Sequence, residues 1–166
     1  MNISRKNWIA LAVVLFAVCT LLQAAVVPSS SQKLELKQGW NLVTLKKPIV
    51  NDSAEDFLSL QPMTLDDETK CYVRCTSKDD LKVGVGYWIF SPTEQPPKDL
   101  VHDQTQTSYE TAAPTGVWNF LGVADSSTWM DQAAAIWQWL DGKFQTITKE
   151  ELKAGNAYWI DRKSVV

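Results

Sequence analysis

"LKVGVGYWIF" occupies residues 81–90, and "LKAGNAYWID" occupies residues 152–161, 71 positions later. A repeated phrase in so short a chain calls for aligning everything around it, because a fixed-period repeat sets the architecture before any single element does. Upstream, "GWNLVTL" (39–45) lies over "VWNFLGV" (117–123), pairing Trp40 with Trp118 and Asn41 with Asn119. Next, Asp52 and Ser53 precede "AEDFLSL", and Asp125, Ser126 and Ser127 precede "TWMDQAAA". Asp and Ser oxygens accept the free amides of a first helical turn, so a short helix is expected in each copy. "MTLDDETKCYVRC" (63–75) then lies over "IWQWLDGKFQTI" (136–147), two short alternating runs around a turn, with Asp141-Gly142 the stronger turn signal. "SKDDL" (77–81) and "TKEEL" (148–152) are capping boxes, Ser77 with Asp80 and Thr148 with Glu151. Gly84 and Gly155 can take the left-handed exit from the single helical turn that follows. The quoted phrase is therefore a turn-to-strand joint.

This alignment predicts a mainly β (α+β) fold of two pseudo-equivalent antiparallel β-rich repeats, each with one short helix and one helical turn. Repeat 1 covers residues 33–90 and repeat 2 covers residues 117–163. The segment between, 91–116, carries Pro92, Pro96, Pro97 and Pro114 among many Ser, Thr and Gln, the composition of a linker. Within it "DLVH" (99–102) is a candidate edge strand matching "KLELK" (33–37). Roughly 65 residues per half is marginal for an independent core, which favours one shared core.

"LKQGWNLVTL" followed by "LKVGVGYWIF" resembles the tandem Gly-Trp-Asn and Gly-Tyr-Trp modules of secreted and cell-surface proteins of bacteria and archaea, which are often appended to larger proteins. The resemblance covers nearly all of the chain after residue 33, twice. It implies an extracytoplasmic, mainly β module, with no established catalytic residues to carry across and no defined ligand.

The N-terminus points to the same compartment. Arg5 and Lys6 precede an apolar run from Trp8 to Val27, interrupted by Cys19, Thr20 and Gln23, and Ala24 and Ala25 lead into "PSSSQ". Residues 1–27 read as a secretory signal peptide, with an uncleaved membrane anchor as the competing reading, because the run is close to the roughly 20 residues that span a bilayer. A lipoprotein reading through Cys19 is weaker, since Phe16, Ala17 and Val18 make a poor lipobox.

Of the 16 Lys and Arg, two (Arg5 and Lys6) lie in residues 1–27, and none of the 19 acids does, so the remainder carries 14 basic against 19 acidic side chains, a net of −5. No basic stripe remains to neutralise phosphates, which argues against nucleic acid. Cys71 and Cys75 in "KCYVRCT" sit about 13 Å apart if the stretch is a strand at about 3.3 Å per residue. A disulfide needs Cα atoms within about 7 Å, so two thiols on one face are expected. The oxidising compartment is the argument for the opposite state. Two Cys without a nearby His cannot complete a tetrahedral metal site.

Seven tryptophans follow residue 27. Trp40, Trp88, Trp118 and Trp159 stand at repeated positions and are assigned to the shared core. Trp129, Trp137 and Trp139 are peculiar to copy 2. In a strand Trp137 and Trp139 share one face, and Ile136, Gln138 and Leu140 the other. If the Ile136 face is the core side, the indoles form an exposed shelf of the kind that stacks sugar rings or anchors a protein partner. The alternative packs them inward against copy 1. Trp129, Trp137 and Trp139 are thus the candidate ligand-binding residues.

The acidic clusters Asp66-Asp67-Glu68, Asp79-Asp80 and Glu150-Glu151 fall in expected turns and first helical turns, where water and the helix dipole favour them. A hydrolase would need two such carboxylates about 5 to 10 Å apart across a cleft. The single histidine, His102, has no nucleophile or second histidine to form a triad or a zinc site with, and no Gly-rich phosphate loop is present. "NDS" (51–53) fits a glycosylation acceptor by spelling alone. The expectation is a non-catalytic secreted or cell-envelope binding or structural module acting through an aromatic surface. Its alternatives are a carbohydrate-binding module stacking sugars on the copy 2 tryptophans, and a small extracellular hydrolase using paired carboxylates. No metal and no cofactor are expected. The expected partner is a protein or polysaccharide at the cell surface, with membrane contact only through an uncleaved N-terminal segment.

Overall fold

A computed structural model describes residues 30–106, 118–124, 130 and 133–162. Residues 1–27, expected to be a signal peptide or anchor, and Trp129 lie outside the described residues, as do most of the positions expected to form the second helix, whose last three, Ala133 to Ala135, are strand instead. The chain is mostly β, with ten strands in three antiparallel sheets among the described residues. β1 (Ser31–Leu34) pairs with β6 (Lys98–Val101) as a two-stranded ribbon. β2 (Gly39–Thr44), β3 (Met63–Leu65), β4 (Tyr72–Arg74) and β5 (Gly86–Ser91) form a sheet in the order β2-β5-β3-β4. β7 (Trp118–Gly122), β8 (Ala133–Leu140), β9 (Lys143–Ile147) and β10 (Ala157–Arg162) form another in the order β7-β10-β8-β9. In both, the first and last strands of the segment pair at one side and its hairpin completes the other.

Strand alternation sends each sheet's two faces to different cores. On β2 and β5 the side chains of Val43, Leu45, Tyr87 and Ile89 pack against helix α1 (Asn51–Ser59) and the β1–β6 ribbon, with Phe57, Leu34, Leu36 and Leu100 closing the cluster. On β7, β8 and β10, Leu121, Val123, Ile136, Tyr158 and Ile160 form a second cluster. The opposite faces meet each other: Leu42 and Trp88 pack on Phe120 and Ala157, flanked by Met63, Leu65, Trp139 and Trp159. The central strands β5 and β10 are therefore covered on both sides, which is why "YWI" reads as continuous apolar sequence in each.

Contacts between the two sheets come in matched pairs. Val43 bridges Asn156, and Leu121 bridges Val85. Thr44 N–H donates to the Gly155 carbonyl at 3.0 Å, and Gly122 N–H donates to the Gly84 carbonyl at 2.8 Å. Thr44 and Gly122 face each other where these pairs converge: a β-carbon on Gly122 would overlap the Thr44 side chain. Within each sheet, the tyrosine that opens "YWI" folds its hydroxyl back on the preceding joint. Tyr87 Oη accepts from Lys82 N–H, and Tyr158 Oη accepts from Lys153 N–H. Gly84 (φ +73°) and Gly155 (φ +89°) take the left-handed conformation, and both short 3-10 turns, Lys78–Asp80 and Lys149–Glu151, carry capping boxes.

Several expectations are corrected. The helix begins at Asn51 after Val50, without a side-chain cap, because the Ser53 hydroxyl accepts the Val101 amide at 2.8 Å instead. The candidate edge strand at 99–102 is present as β6, which buries Leu100 completely, and β1 begins at Ser31, two residues ahead of the expected start of repeat 1. Cys71 and Cys75 do not share a face. The strand between them is only Tyr72–Arg74, Cys71 is exposed, and Cys75 is buried, its amide held by the Pro62 carbonyl. The hairpins align one residue away from the sequence match. Met63 lies opposite Trp88 and Trp137 opposite Trp159, so Met63 corresponds to Trp137, Leu65 to Trp139 and Tyr72 to Phe144. A one-residue slip exchanges the two faces of a strand, and only the pairing partner resolves it.

Candidate functional site

The layer between the sheets is a connected row of aromatic rings. Phe90 contacts Trp40 (centroids 5.3 Å apart), and Trp40 contacts Trp88 edge-on (6.1 Å). Trp88 touches Trp139 (5.3 Å) and Phe144 (6.2 Å) on the facing sheet and stacks at 6.1 Å on Phe120, which leans on Trp159 (5.3 Å) and Tyr72 (5.9 Å). Edge-to-face and offset geometries of this kind are favourable beyond the area they bury. The row exists because Trp40, Trp88 and Phe90 occupy same-face positions on paired strands, with Trp40 directly opposite Phe90 and Leu42 opposite Trp88.

Trp40 and Trp118, assigned to the core by the repeat, are surface residues, 45% and 49% exposed. Each shares a face with the buried Leu42 or Phe120 but sits near the beginning of its strand, outward of that buried residue. Around Trp40 the exposure is collective, since Phe90 (53%) and Phe144 (41%) are open as well. Trp88, by contrast, is buried, and Trp159 is half-buried within the layer.

Beside Trp40 runs an open groove of about 1110 Å³, walled by β1, β2, the β8–β9 turn and the 153–157 joint. Its floor is tied together by side chains. Gln32 Nε2 donates to the Thr44 carbonyl at 2.6 Å while its Oε1 accepts from Lys46 N–H at 2.8 Å, and Trp139 Nε1 donates to the Trp40 carbonyl at 3.1 Å. Asn41 closes the turn before β2 by bonding the Lys37 N–H and both the Lys37 and Gly39 carbonyls.

Trp139 and Trp137 are both half-buried. Trp139 packs across the layer against Trp88 and Phe144 and walls the groove, while Trp137 pairs with Trp159 and Thr146 within its own sheet. The structure brings Trp137 and Trp139 onto one face of β8, yet neither stands clear as a shelf. Of the two alternatives for β8, Trp139 takes the inward one, packed on Trp88 of the facing sheet, while Ile136 on the opposite face belongs to another core. Residues overlooked as a surface are Trp40, Phe90 and Phe144. The signal was their position at strand ends on the same face as Leu42 and Trp139.

The carboxylates have local duties. Asp66 accepts from Thr69 N–H and Oγ1 at 2.7 Å, which holds its carboxyl below the usual range. Asp80 accepts from Thr76 N–H (2.7 Å) and Ser77 N–H (2.8 Å) and is lowered by those bonds, and Glu151 accepts from Thr148 N–H (2.8 Å). His102 is buried, with Nδ1 3.0 Å from the Ser30 hydroxyl, and bridges to Ile49. Asn51 of the "NDS" motif accepts from Lys78 Nζ at 2.6 Å. Among the described residues no group of three or more His, Cys, Asp or Glu is placed to hold a metal ion, and no helix is long and apolar enough to cross a membrane. Comparison with protein-family models, curated proteins and solved structures finds no match to the chain.

Proposed function

We propose that the chain is a non-catalytic binding or structural module of the secretome or cell envelope that acts through its aromatic surface, as the resemblance to the tandem Gly-Trp-Asn and Gly-Tyr-Trp modules implies. The observation that carries this is the open end of the aromatic row. Phe90, Trp40 and Phe144 are exposed together, yet each is backed by the buried layer through Trp88. A contiguous exposed aromatic surface on a rigid sheet face marks an interaction site rather than a random apolar residue. Rigid aromatic side chains lose little entropy on binding and are the commonest anchors of interfaces. The partner is a protein or polysaccharide of the cell surface.

The test is co-sedimentation of the full chain with peptidoglycan sacculi and with insoluble cell-surface polysaccharide. The chain is expected to pellet with one of them, and the double variant Phe90→Ser, Phe144→Ser is expected to stay in the supernatant while still melting in a cooperative transition, at a somewhat lower temperature. A chain that never pellets contradicts the polysaccharide partner, and a double variant that pellets as well as the parent contradicts the aromatic surface as the binding face.

A further inference from the structure

We infer that the groove beside Trp40 takes a neutral, extended glycan chain, with the Trp40 indole as the platform on which one sugar ring stacks. This presupposes the non-catalytic binding role and gives it a ligand class and a location. Three observations support it. First, the size: about 1110 Å³ lies at the top of the few hundred to about 1,000 Å³ of pockets for single small ligands, room for more than one sugar ring.

Second, β2 does not offer its outer edge to an added β-strand. The outer edge of β2 would be the natural template for an extended peptide, but it is already engaged by the chain itself. The Trp40 carbonyl is taken by Trp139 Nε1, the Thr44 carbonyl by Gln32 Nε2 and the Thr44 amide by Gly155, and Val43 is bridged by Asn156. Edge strands covered in this way do not accept another strand, so recognition there falls to side chains.

Third, the side chains fit hydroxyl-rich, uncharged matter. The walls combine Lys33, Lys37, Lys46 and Lys153 with Glu35, Glu94 and Asp141, four cations against three acids, a mixed set with only a slight positive excess. A polyanion or a strongly basic peptide would meet like charge along either wall. Trp40 adds a flat apolar face, 45% exposed and held in place by contact with Trp88 and Phe90.

The experiment is titration calorimetry of the full chain with cellohexaose, chitohexaose, xylohexaose and mannohexaose, with polygalacturonate and an alternating Val/Thr decapeptide as comparators. At least one neutral hexasaccharide is expected to bind saturably. Trp40→Ala should weaken that binding at least tenfold, as loss of an interface anchor does. Trp118→Ala is the control: it removes an equally exposed indole from the matching strand position outside the groove, and it should change affinity less than twofold. Failure of all four neutral probes, retained affinity in Trp40→Ala, or binding of only the polyanion or the decapeptide overturns the inference. The envelope role and the groove fail separately. Sedimentation lost with Phe90 and Phe144 while no hexasaccharide binds removes the groove alone, whereas hexasaccharide binding without sedimentation removes the envelope role alone.

Discussion

At the scale of single residues, Gly122 has the least freedom. Its neighbour across the sheets is Thr44, fully buried, with its hydroxyl donating to the Val85 carbonyl at 2.6 Å. Gly122→Ala is expected to destabilise the chain by about 1–3 kcal/mol through overpacking. Thr44→Gly in the same chain should recover a substantial part of that loss, a coupling a double-mutant cycle of denaturant midpoints will detect. Strict additivity would show that the two positions do not meet. Cys75 sets a pH limit. Burial in the helix-side core, with Asp80 nearby, raises its thiol from 9.0 to about 11. A thiol kept neutral by the fold contributes stability that is complete below pH 9 and lost as pH rises from about 9 through about 11. Stability should therefore fall between pH 8.5 and 11, and less steeply in Cys75→Ala, as measured by urea unfolding at each pH. Tyr87, raised further by the same desolvation, extends the loss to still higher pH.

At the scale of elements, the short 3-10 turns depend on their acids. The Asp80 carboxylate accepts two backbone amides and Glu151 accepts one. Asp80→Ala is expected to cost about 1–2 kcal/mol and Glu151→Ala about half as much, within the range for lost caps. Equal losses by thermal melting would contradict the difference in bond count. The β8–β9 hairpin turns on Asp141 (φ +51°) and Gly142 (φ +78°), the two left-handed residues of a type I′ turn. A methyl group on Gly142 meets nothing within 4 Å, so Gly142→Ala isolates backbone strain, about 1 kcal/mol, from packing. No measurable change in melting would mean that the turn relaxes to another form.

At the scale of the whole molecule, the aromatic layer joins the two four-stranded sheets, and neither sheet can expose Trp88, Phe120, Trp139 and Trp159 without losing its cover. The backbone bonds from Thr44 to Gly155 and from Gly122 to Gly84 tie them further. One cooperative calorimetric transition is expected, with equal calorimetric and van't Hoff enthalpies. Two resolved transitions would mean that each sheet is stable on its own separate core.

Much of this architecture was legible beforehand, and for local reasons. The β-rich character, the Asp141-Gly142 turn, the left-handed Gly84 and Gly155 and the acid-capped turns all follow from backbone conformations that particular residues permit or hold, which neighbours in sequence are enough to specify. Which side of a strand is covered is a different kind of fact. Trp40 and Trp88 have the same chemistry and lie on the same face, yet one is 45% exposed and the other 9%, because Phe120, Trp139 and Phe144 of the facing sheet pack on the Trp88 ring, whereas Trp139 meets Trp40 at its backbone carbonyl. Whether Trp139 stood on a shelf or packed inward was likewise open from the sequence, and contact with Trp88 on the other sheet decides it. Exposure depends on how far the opposing layer reaches, and that distance is set by residues some 50 to 100 positions away along the chain. Periodicity in the chain can name the faces; only the docked sheets decide which ends of them meet water.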